Sequence, residues 1–525
     1  MDTDVLIVGA GPTGLMLANQ LARRGVRCQI IDRHAGPALQ TRALGVQART
    51  LEIYSHLGLA DRALELGKRG TGANLWAQGR KMARVPLGEA GVGVTPYPFI
   101  LILGQDDNER IMGERLRDWP MSVQWNTELV ELKQMTDHVA ATLKLPGGAT
   151  RTVAAAWIAG CDGAHSAVRE LNGIGFPGAP YEHVFFVADT EATGTMVPDE
   201  VNVYLWQEGF HLLFPMRAKD HWRIVGIVPP DLRNTDGLEF PAVMPSLRKE
   251  AGTSLSIKSC SWFSTYRIHH RRAARFRDRR CFLLGDAAHI HSPVGAQGMN
   301  TGLQDAYNLA WKLTLVVQGN ADVALLDSYE QERVPIAQRL LNTTDRGFRL
   351  AVSDSPIAGL FRTKILARIG AFAMSIKRVQ AWAFRIVSQT GIHYRWSSLS
   401  RSLGRMPEDA PRGGDRFPWL KLKLAAGGPV EDLYQKIDDI RLHLIVIGQS
   451  APATVGGAGF IDVHAIPADP VNDAELASAR IPGTSYYLLR PDGHIGLCGI
   501  HLEPGDVEKY LSERLRLGTA PKARA

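Results

Sequence analysis

The N-terminal pattern of apolar and small residues predicts a strand, a tight turn, a helix and a second strand. Val5 to Val8 are consecutive apolar residues, which is typical of a strand buried on both faces of a parallel sheet. The apolar face of the following helix is formed by Leu15, Leu17, Ala18, Leu21 and Ala22. Gly25 ends this helix, and Val26 to Ile31 form a second strand-like run. The order of these elements predicts a βαβ unit.

Glycine positions in the predicted turn favour a nucleotide site. Gly9, Gly11 and Gly14 have the spacing G-x-G-x-x-G, which permits a tight turn, a close pyrophosphate and close helix packing in that order. Pro12 suits the first turn of the helix. Asp32 ends the second strand, where a carboxylate can accept hydrogen bonds from a ribose. A βαβ turn without a ligand is the alternative, but strand, glycines, helix and acid together favour the nucleotide.

Three further apolar runs lead to candidate ligand contacts. These runs cover residues 99–103, 152–159 and 281–284, and they lead to Gln105, Asp162-Gly163 and Gly285-Asp286. Because ligands bind at the carboxyl ends of strands in an open α/β sheet, these residues are candidates for one site. Arg42 and Arg49 are candidates for contacts with phosphate or flavin oxygens; a solvated helix end is the more common role for such an arginine. The glycine-rich loop 292–302 precedes a predicted helix, Leu303 to Val317, and its amides can face an anion or a carbonyl.

Between Tyr181 and Pro230 the pattern changes to an alternation of apolar and polar residues. This alternation predicts antiparallel strands with one covered and one solvated face. We predict a second domain here, one face of which covers the cofactor and carries the substrate pocket. The candidate pocket residues are Trp206, Phe210 and Phe214. His211 and Arg223 are candidate catalytic residues because either could favour a phenolate; a packing or surface role is the alternative for each.

The C-terminal third contains helices, a linker and a further α/β pattern. A helix over residues 325–341 is expected to kink or break at Pro335. Residues 347–388 are apolar and basic at helical spacing; they fit a membrane-surface helix or a packed helix, and we favour packing. Residues 407–418 are typical of a linker. Beyond it we predict strands at 440–448, 459–465 and 486–489, a tight turn at 490–493 and a helix at 507–517.

Composition and charge then limit the class of protein. Hydrophobic residues make up 45% and charged residues 22% of 525 residues, which is typical of a soluble protein of two or three domains. The five cysteines form no C-x-x-C pair, the chain starts directly in a buried strand, and no apolar run has membrane-spanning length. We therefore predict a cytoplasmic protein, and we predict no metal site.

The net charge of +7 includes a dense basic run at residues 269–280. We interpret this run as a solvated loop and not as a nucleic-acid site, because no exposed stacking aromatics or known module accompany it. Attraction of an anionic nicotinamide cofactor is a lesser alternative. The composition is compatible with a homodimer.

The motifs resemble those of the flavin-dependent aromatic hydroxylases of the para-hydroxybenzoate hydroxylase fold. The nearer match is the branch that acts on polyketide and phenolic substrates and carries a C-terminal thioredoxin-like domain. The resemblance is strong up to about residue 345 and looser in the last hundred or so residues. Because the C-terminal region lacks C-x-x-C, dithiol redox chemistry is not implied.

The resemblance implies that FAD is the bound cofactor. The glycine-rich turn would hold its pyrophosphate, Asp32 its ribose and Asp286 its ribityl chain. The backbone from Pro293 to Asn300 would approach the pyrimidine edge of the flavin. The full set of implied cofactor contacts is Gly9, Gly11, Gly14, Asp32, Arg33, Arg42, Gln105, Asp162, Gly163, Gly285, Asp286, Pro293, Gly298, Met299 and Asn300.

The resemblance also implies a reaction. NADPH or NADH would reduce the flavin in a transient encounter, which suits a chain without a second comparable dinucleotide turn. Reduced flavin would take up O2 to form a C4a-hydroperoxide, which would hydroxylate a phenolic or polyketide-like ring. Baeyer–Villiger insertion on the same fold remains an alternative. A halogenase is disfavoured because the run Trp-x-Trp-x-Ile-Pro is missing, and a non-catalytic binding protein is disfavoured because Asp162, Asp286 and the loop to Asn300 are retained.

The predicted fold class is α/β (α+β), with a Rossmann-type FAD-binding domain, an inserted antiparallel-sheet substrate domain and a C-terminal thioredoxin-like domain. The FAD-binding domain is discontinuous, at residues 1–75, 99–175 and 270–345. The substrate domain covers 76–98 and 176–269. The remaining segments are a helical connection at 346–406, the thioredoxin-like domain at 407–517 and a tail at 518–525.

Overall fold

The first apolar runs form neighbouring parallel strands in the computed structural model of the chain. In order across the sheet, the parallel strands are Cys281–Leu283, Thr150–Gly160, Thr3–Val8, Cys28–Ile31 and Val123–Gln124. The antiparallel members of this sheet are Arg277–Asp278, Glu128–Gln134 and Val139–Lys144. Side chains of the central strand, such as Leu6 and Ile7, are fully buried, as a sheet covered on both faces requires.

The structure describes residues 1–38, 43–77, 79–206, 209–235, 237–251, 255–291, 297–352, 376–452 and 459–518. Arg42 and Pro293, two of the predicted cofactor contacts, lie outside the described residues.

The helices are Pro12–Ala22, Ala48–His56, Ala60–Leu66, Leu87–Ala90, Gln105–Leu116, Ala167–Leu171, Phe240–Ala251, Gly298–Val317, Asp327–Val352, Lys377–Val387, Pro470–Ser478 and Pro504–Glu513. Within the described residues, no helix is both long enough and apolar enough to cross a bilayer.

The alternating segment forms a second sheet of eight strands. Their order is His289–Ile290, Ser256–Arg272, Gly178–Thr193, His221–Ile227, Gly209–Pro215, Val201–Trp206, Ala73–Ala77 and Arg80–Val85. One face of this sheet packs on the helix Phe240–Ala251, through Val243 and Leu247 of the helix. On the other face, Phe214 packs with Ile102 of the small sheet formed by Gly45–Val46, Ile100–Ile102 and Lys68–Gly70. The predicted boundaries at 75/76 and 269/270 fall within strands of the second sheet.

The C-terminal region forms a separate sheet. Its strands in order are Arg401–Ser402, Ile495–Gly499, Ser485–Leu489, Leu442–Ile447 and Ile461–Ile466. The last two are parallel, and Ser485–Leu489 is antiparallel to both of its neighbours. The three strands predicted from the sequence are confirmed, while Ile495–Gly499 and the small hairpin of Lys421–Lys423 with Val430–Asp432 were missed. The thioredoxin-like assignment stays a prediction.

A buried charged cluster joins the C-terminal sheet to the long helices. Arg490 donates to both carboxylate oxygens of Glu332, at 2.6 and 3.0 Å, and also pairs with Asp492. Lys312 lies 2.7 Å from Glu332, and burial lowers the pKa of this lysine to about 8. Asp492 accepts from the indole N–H of Trp311 at 3.2 Å. The predicted tight turn at 490–493 is therefore also the contact that docks the C-terminal sheet.

Two local predictions are wrong, each for an identifiable reason. The helix Asp327–Val352 does not break at Pro335. The carbonyl of Gln331, which Pro335 leaves without its helical donor, accepts from the indole N–H of Trp396 at 3.0 Å. Residues 269–272 of the basic run belong to the strand Ser256–Arg272 and not to a loop. Further along that run, the guanidinium of Arg280 lies 5.0 Å from the ring centre of Trp157.

Candidate active site

The register of the parallel strands brings the predicted motifs to one edge of the first sheet. Val8 is aligned with Gly160 on one side and with Ile31 on the other, and Gly160 is aligned with Leu283. The motif residues that follow within two positions are Gly9, Asp32, Asp162 and Gly285. Strand pairing, and not proximity in sequence, therefore assembles the site at the carboxyl ends of the strands.

The three glycines of the first turn have different surroundings. Gly9 has a φ of 102°, and a Cβ there would overlap the carbonyl of Cys161. A Cβ on Gly14 would overlap the carbonyl oxygen of Gly9, whereas a Cβ on Gly11 meets no atom within 4 Å. Packing of the protein itself requires Gly9 and Gly14. Gly11 instead borders open space at the N-terminus of the helix Pro12–Ala22, which fits a phosphate group.

Asp32 supports the glycine-rich turn from the second strand. Its Oδ2 accepts from the backbone N–H of Ala10 at 2.8 Å, and its Oδ1 accepts from the backbone N–H of His34 at 2.9 Å. The side chain is partly exposed at the edge of the site, so its oxygens can also reach a ribose. Arg33 is exposed beside it.

Asp162 offers a buried acceptor that the described protein leaves unused. Its Oδ2 accepts from the backbone N–H of Val168 at 3.2 Å, but its buried Oδ1 has no hydrogen-bond partner among the described residues. Burial raises the pKa of this carboxyl above its ordinary value. A buried acceptor without a donor is costly, so this oxygen fits a ligand that donates a hydrogen bond. Gly163 follows with a φ of 76° and turns the chain.

Gly285 and Asp286 lie in a short 3₁₀ turn against the first helix. Gly285 has a φ of 58°, and a Cβ there would lie 2.6 Å from the hydroxyl oxygen of Thr13. The side chain of Asp286 is exposed at this turn. Gly285 and Asp286 are thus held close to the start of the helix Pro12–Ala22, where the carboxylate of Asp286 can reach a polyol chain.

The long helix begins at Gly298, five residues before the predicted start. The side chain of Asn300 is used within the protein: Oδ1 accepts from Gln47 N–H at 2.9 Å, and Nδ2 donates to the carbonyl of Gly45 at 2.7 Å. The contribution of Gly298, Met299 and Asn300 to a ligand therefore comes from their backbone amides. The first amides of a helix have no acceptor within the helix, so they fit an electron-rich edge.

Gln105 and Arg49 have partners that bear on their predicted roles. Gln105 begins the helix Gln105–Leu116 and donates to Glu109 at 2.8 Å; Glu109 in turn accepts from the backbone N–H of Ala38 at 2.9 Å. Arg49 fits neither of its two sequence interpretations, a phosphate contact or a solvated helix end, because its side chain is buried. Arg49 pairs with Glu52 at 2.9 Å and donates to the carbonyl of Asp492 at 2.6 Å, so it joins the C-terminal region.

Asp305, which was not predicted from the sequence, links Gly285 to His289. Its fully buried carboxylate accepts from the backbone N–H of Gly285 at 3.0 Å, from His289 Nε2 at 2.7 Å and from Arg333 Nε at 2.6 Å. Burial alone would raise the pKa of Asp305, but Arg333 and His289 lower it below its ordinary value. Arg333 also donates to the carbonyl of Thr301 at 3.1 Å. An acid inside an apolar helix pattern carries no signal of this role.

The second sheet divides the predicted pocket residues between its two faces. Phe214 is paired with Arg223 across neighbouring strands, and Phe210 lies four residues before Phe214 on the same strand. These three side chains therefore lie on one face of the sheet, the face that packs against the small sheet. His211 stacks on Trp206 at 5.4 Å and contacts Phe186 on the opposite face. The expectation of one common face is wrong, because successive residues of a strand point to opposite sides.

His211 and Arg223 therefore differ in chemistry. Burial lowers the pKa of His211 to about 3, and neither ring nitrogen has a hydrogen-bond partner among the described residues. The imidazole is neutral at ordinary pH and cannot stabilise a phenolate by charge. Arg223 is buried, donates through Nε to Asp189 at 2.6 Å and lies 5.2 Å from the ring centre of Trp262.

Comparison with known proteins agrees with this geometry. Residues 2–344 match the family model described as an FAD binding domain. The chain belongs to this FAD-binding family. It is 33% identical over 518 residues to the 6-methylpretetramide 4-monooxygenase of Streptomyces rimosus, covering 94% of this chain and 90% of that protein. This member of the FAD-binding family is an α/β flavoprotein monooxygenase of the aromatic-hydroxylase type, as the sequence predicts.

Two solved structures share nearly the whole fold. One is a ternary complex of aklavinone-11 hydroxylase with FAD and aklavinone, with a TM-score of 0.78, 25% identity and coverage of 98% of this chain and 99% of that chain. The other is a Diels-Alderase of pyrroindomycin biosynthesis, with a TM-score of 0.75, 26% identity and the same coverage. FAD is the cofactor of the family, and the open space at Gly11, the unpaired Asp162 oxygen and the helix amides fit it.

Proposed function

We propose that this monooxygenase hydroxylates a phenolic or polyketide-like aromatic ring, with NADPH or NADH as reductant and O2 as the source of oxygen. The observation that carries the proposal is the convergence of Gly11, Asp162 and Gly285 at one sheet edge, beside a sheet face that carries Phe210 and Phe214. The relatives named for 6-methylpretetramide and aklavinone support a ring substrate of this kind.

The cofactor would be held by main-chain groups more than by side chains. The amide of Gly11 and the start of the helix Pro12–Ala22 would bind the pyrophosphate, and Asp32 and Asp286 would bind the ribose and the ribityl chain. Once bound, FAD supplies the electron transfer and oxygen activation that side chains cannot. The amides of residues 298–300 would stabilise negative charge on its pyrimidine edge, as an oxyanion hole does.

The substrate would lie on the sheet face that carries Phe210, Phe214 and Arg223. We assign to Arg223 the orientation of a phenolic oxygen, because Asp189 fixes the guanidinium in one position on that face. Asp189 also offsets its charge, so we expect positioning to matter more than ionisation of the phenol. Trp206 and His211 would support the sheet from the opposite face and would not contact the substrate.

The domain organisation predicted from the sequence is part of this proposal, with the start of the substrate domain moved to the strand Ala73–Ala77. We infer a discontinuous FAD-binding domain, an inserted substrate domain that starts near Ala73, and a C-terminal thioredoxin-like domain without dithiol chemistry. The strand order and the single antiparallel strand among the four long strands of the C-terminal sheet support the last assignment. We also infer a cytoplasmic location and a transient encounter with the reduced nicotinamide.

Substrate-stimulated oxidation of NADPH and NADH, measured over a panel of phenols and polycyclic quinones, tests the function. We expect an effective substrate to raise the oxidation rate and to gain one oxygen atom from ¹⁸O₂ on a ring carbon. An ester with the new oxygen beside a carbonyl would instead identify Baeyer–Villiger insertion. A protein that binds FAD but consumes no reductant with any ring substrate would contradict the proposal, and would point to a role like that of the Diels-Alderase relative.

A further inference from the structure

The helix Lys377–Val387 is attached to the rest of the protein by one face. Phe384 is its buried residue and packs with Ala48 and Leu87. The ring of Phe384 also lies against Gly91, where an added Cβ would be 2.5 Å away. The opposite side of the helix is exposed, and we call it the basic-aromatic face; it consists of Arg378, Trp382, Arg385 and Ile386.

The apolar part of this face is unusual. Trp382 is 65% exposed, and every other Phe, Trp and Tyr side chain among the described residues is buried or half-buried. Ile386, one turn further along, is 45% exposed, and Ile376 at the start of the helix is 43% exposed. Large apolar side chains that are grouped on a surface mark a binding site more often than single ones do.

The charges on this helix have one sign. Lys377, Arg378 and Arg385 are basic, and the helix carries no acidic residue. Among the groups that act on Arg385, Arg416 and Arg480 are basic and Asp415 is acidic. Arg416 is paired with Glu52 and Arg480 with Asp409, so the net positive charge of the face comes from the helix itself.

We propose that the basic-aromatic face docks reversibly on lipid bilayers with anionic headgroups. An indole ring prefers the headgroup region, and neighbouring arginines pair with lipid phosphates, so the two features act on the same partner. The helix has 11 residues, which suits a helix lying in the interface and excludes one that spans. Such docking would bring the protein to a phase in which apolar compounds accumulate.

A second copy of the chain fits this face less well. A two-fold contact places the same patch on both partners, so the arginines of one helix would face those of the other. Like charges opposed across an interface are unfavourable, whereas an anionic bilayer neutralises them. The charge of the face therefore favours the lipid surface.

Cosedimentation of the FAD-loaded full chain with vesicles tests the proposal. We expect binding to phosphatidylcholine vesicles that contain phosphatidylglycerol, weaker binding at high salt and little binding to phosphatidylcholine alone. Replacing two cations by R378Q/R385Q is expected to lower the partition coefficient about thirtyfold. The matched variant R151Q/R217Q removes the same net charge from exposed positions elsewhere and should bind as wild type does.

A second matched pair tests the apolar part of the face. Ile386→Ser is expected to weaken binding, while Ile440→Ser, at a side chain that is 46% exposed in the C-terminal region, is expected to leave it unchanged. Equal FAD content in all variants would show that they fold. The proposal is overturned if wild type stays in the supernatant with both vesicle types, or if the control variants lose as much binding. It is also overturned if Ile386→Ser abolishes a concentration-dependent dimer and leaves vesicle binding unchanged, which would assign the face to a second copy.

Discussion

The edge of the first sheet and the face of the second sheet differ in how their residues are placed. At the edge, Gly9, Asp162 and Gly285 follow aligned strands, so the main chain itself fixes their positions. On the face, Phe210 and His211 are adjacent in sequence but point to opposite sides. Sites built from the backbone at strand ends can thus be predicted from sequence. Side-chain pockets cannot be predicted in the same way, because they depend on which elements of the fold pack against each face of the sheet.

We expect the largest effect from replacing a glycine that packing requires, such as Gly14, and not one that borders open space, such as Gly11. Gly14→Ala places a Cβ onto the carbonyl oxygen of Gly9, and no rearrangement of a flexible side chain can relieve this overlap. We expect loss of about 3 kcal/mol or more in the free energy of unfolding, measured by urea denaturation. Gly36→Ala, where a Cβ meets no atom, is the control and should be near wild type. A stable Gly14→Ala protein would contradict the packing described for the turn.

Substitution of Asp305 tests whether the edge of the first sheet depends on a residue that was not predicted from the sequence. Asp305→Asn leaves the fully buried Arg333 without its anionic partner, so we expect a loss of about 3 to 5 kcal/mol in the free energy of unfolding. Asp327→Asn is the control, because that acid pairs with Arg277 at the surface. Equally small losses in the free energy of unfolding of both variants would show that the contacts of Asp305 do not stabilise this edge.

Gly11→Val should separate folding from cofactor binding. The new side chain enters open space in the protein but would occupy the place of the pyrophosphate. We expect a stability near that of wild type and an FAD dissociation constant raised about a hundredfold, measured by flavin fluorescence titration. An unchanged FAD affinity would show that the cofactor does not bind at this turn.

The pH dependence of stability tests the far face of the second sheet. The pKa of His211 is lowered to about 3, so below the ordinary histidine pKa the unfolded chain binds a proton that the folded chain does not. This group therefore costs stability as the pH falls from about 6.5 to 3, by about 1.4 kcal/mol per pH unit. His211→Phe should match wild type near neutral pH and become relatively more stable in urea denaturation at pH 5. The same difference at both pH values would contradict the neutral, buried imidazole.

The smallest expected effect concerns the two candidate catalytic residues. Arg223→Gln should lower the rate of hydroxylation about tenfold in rapid-reaction kinetics, since it removes one oriented contact from the substrate face. His211→Phe should leave that rate near wild type. A slow His211→Phe enzyme with a normal Arg223→Gln enzyme would reverse the assignment of the two faces.

Features set by backbone geometry were predicted from the sequence, and features set by contacts between side chains distant in sequence were not. Strand–turn motifs gave the first sheet and the edge positions of Gly9, Asp32, Asp162 and Gly285, because glycine and short apolar runs report directly on backbone geometry. Residues such as Asp305, Glu332 and Arg490 carried no local signal, since their partners are distant in sequence. The two-residue period was sufficient to place His211 and Phe210 on different faces, and the sequence prediction did not apply it.

Titration of the deflavinated protein with FAD, followed by flavin fluorescence and absorbance, tests the central claim most directly. We expect one FAD bound per chain, with a changed flavin spectrum in wild type and loss of that binding in Gly11→Val. A wild-type protein that stays colourless in excess FAD, or one whose binding Gly11→Val leaves intact, would contradict it.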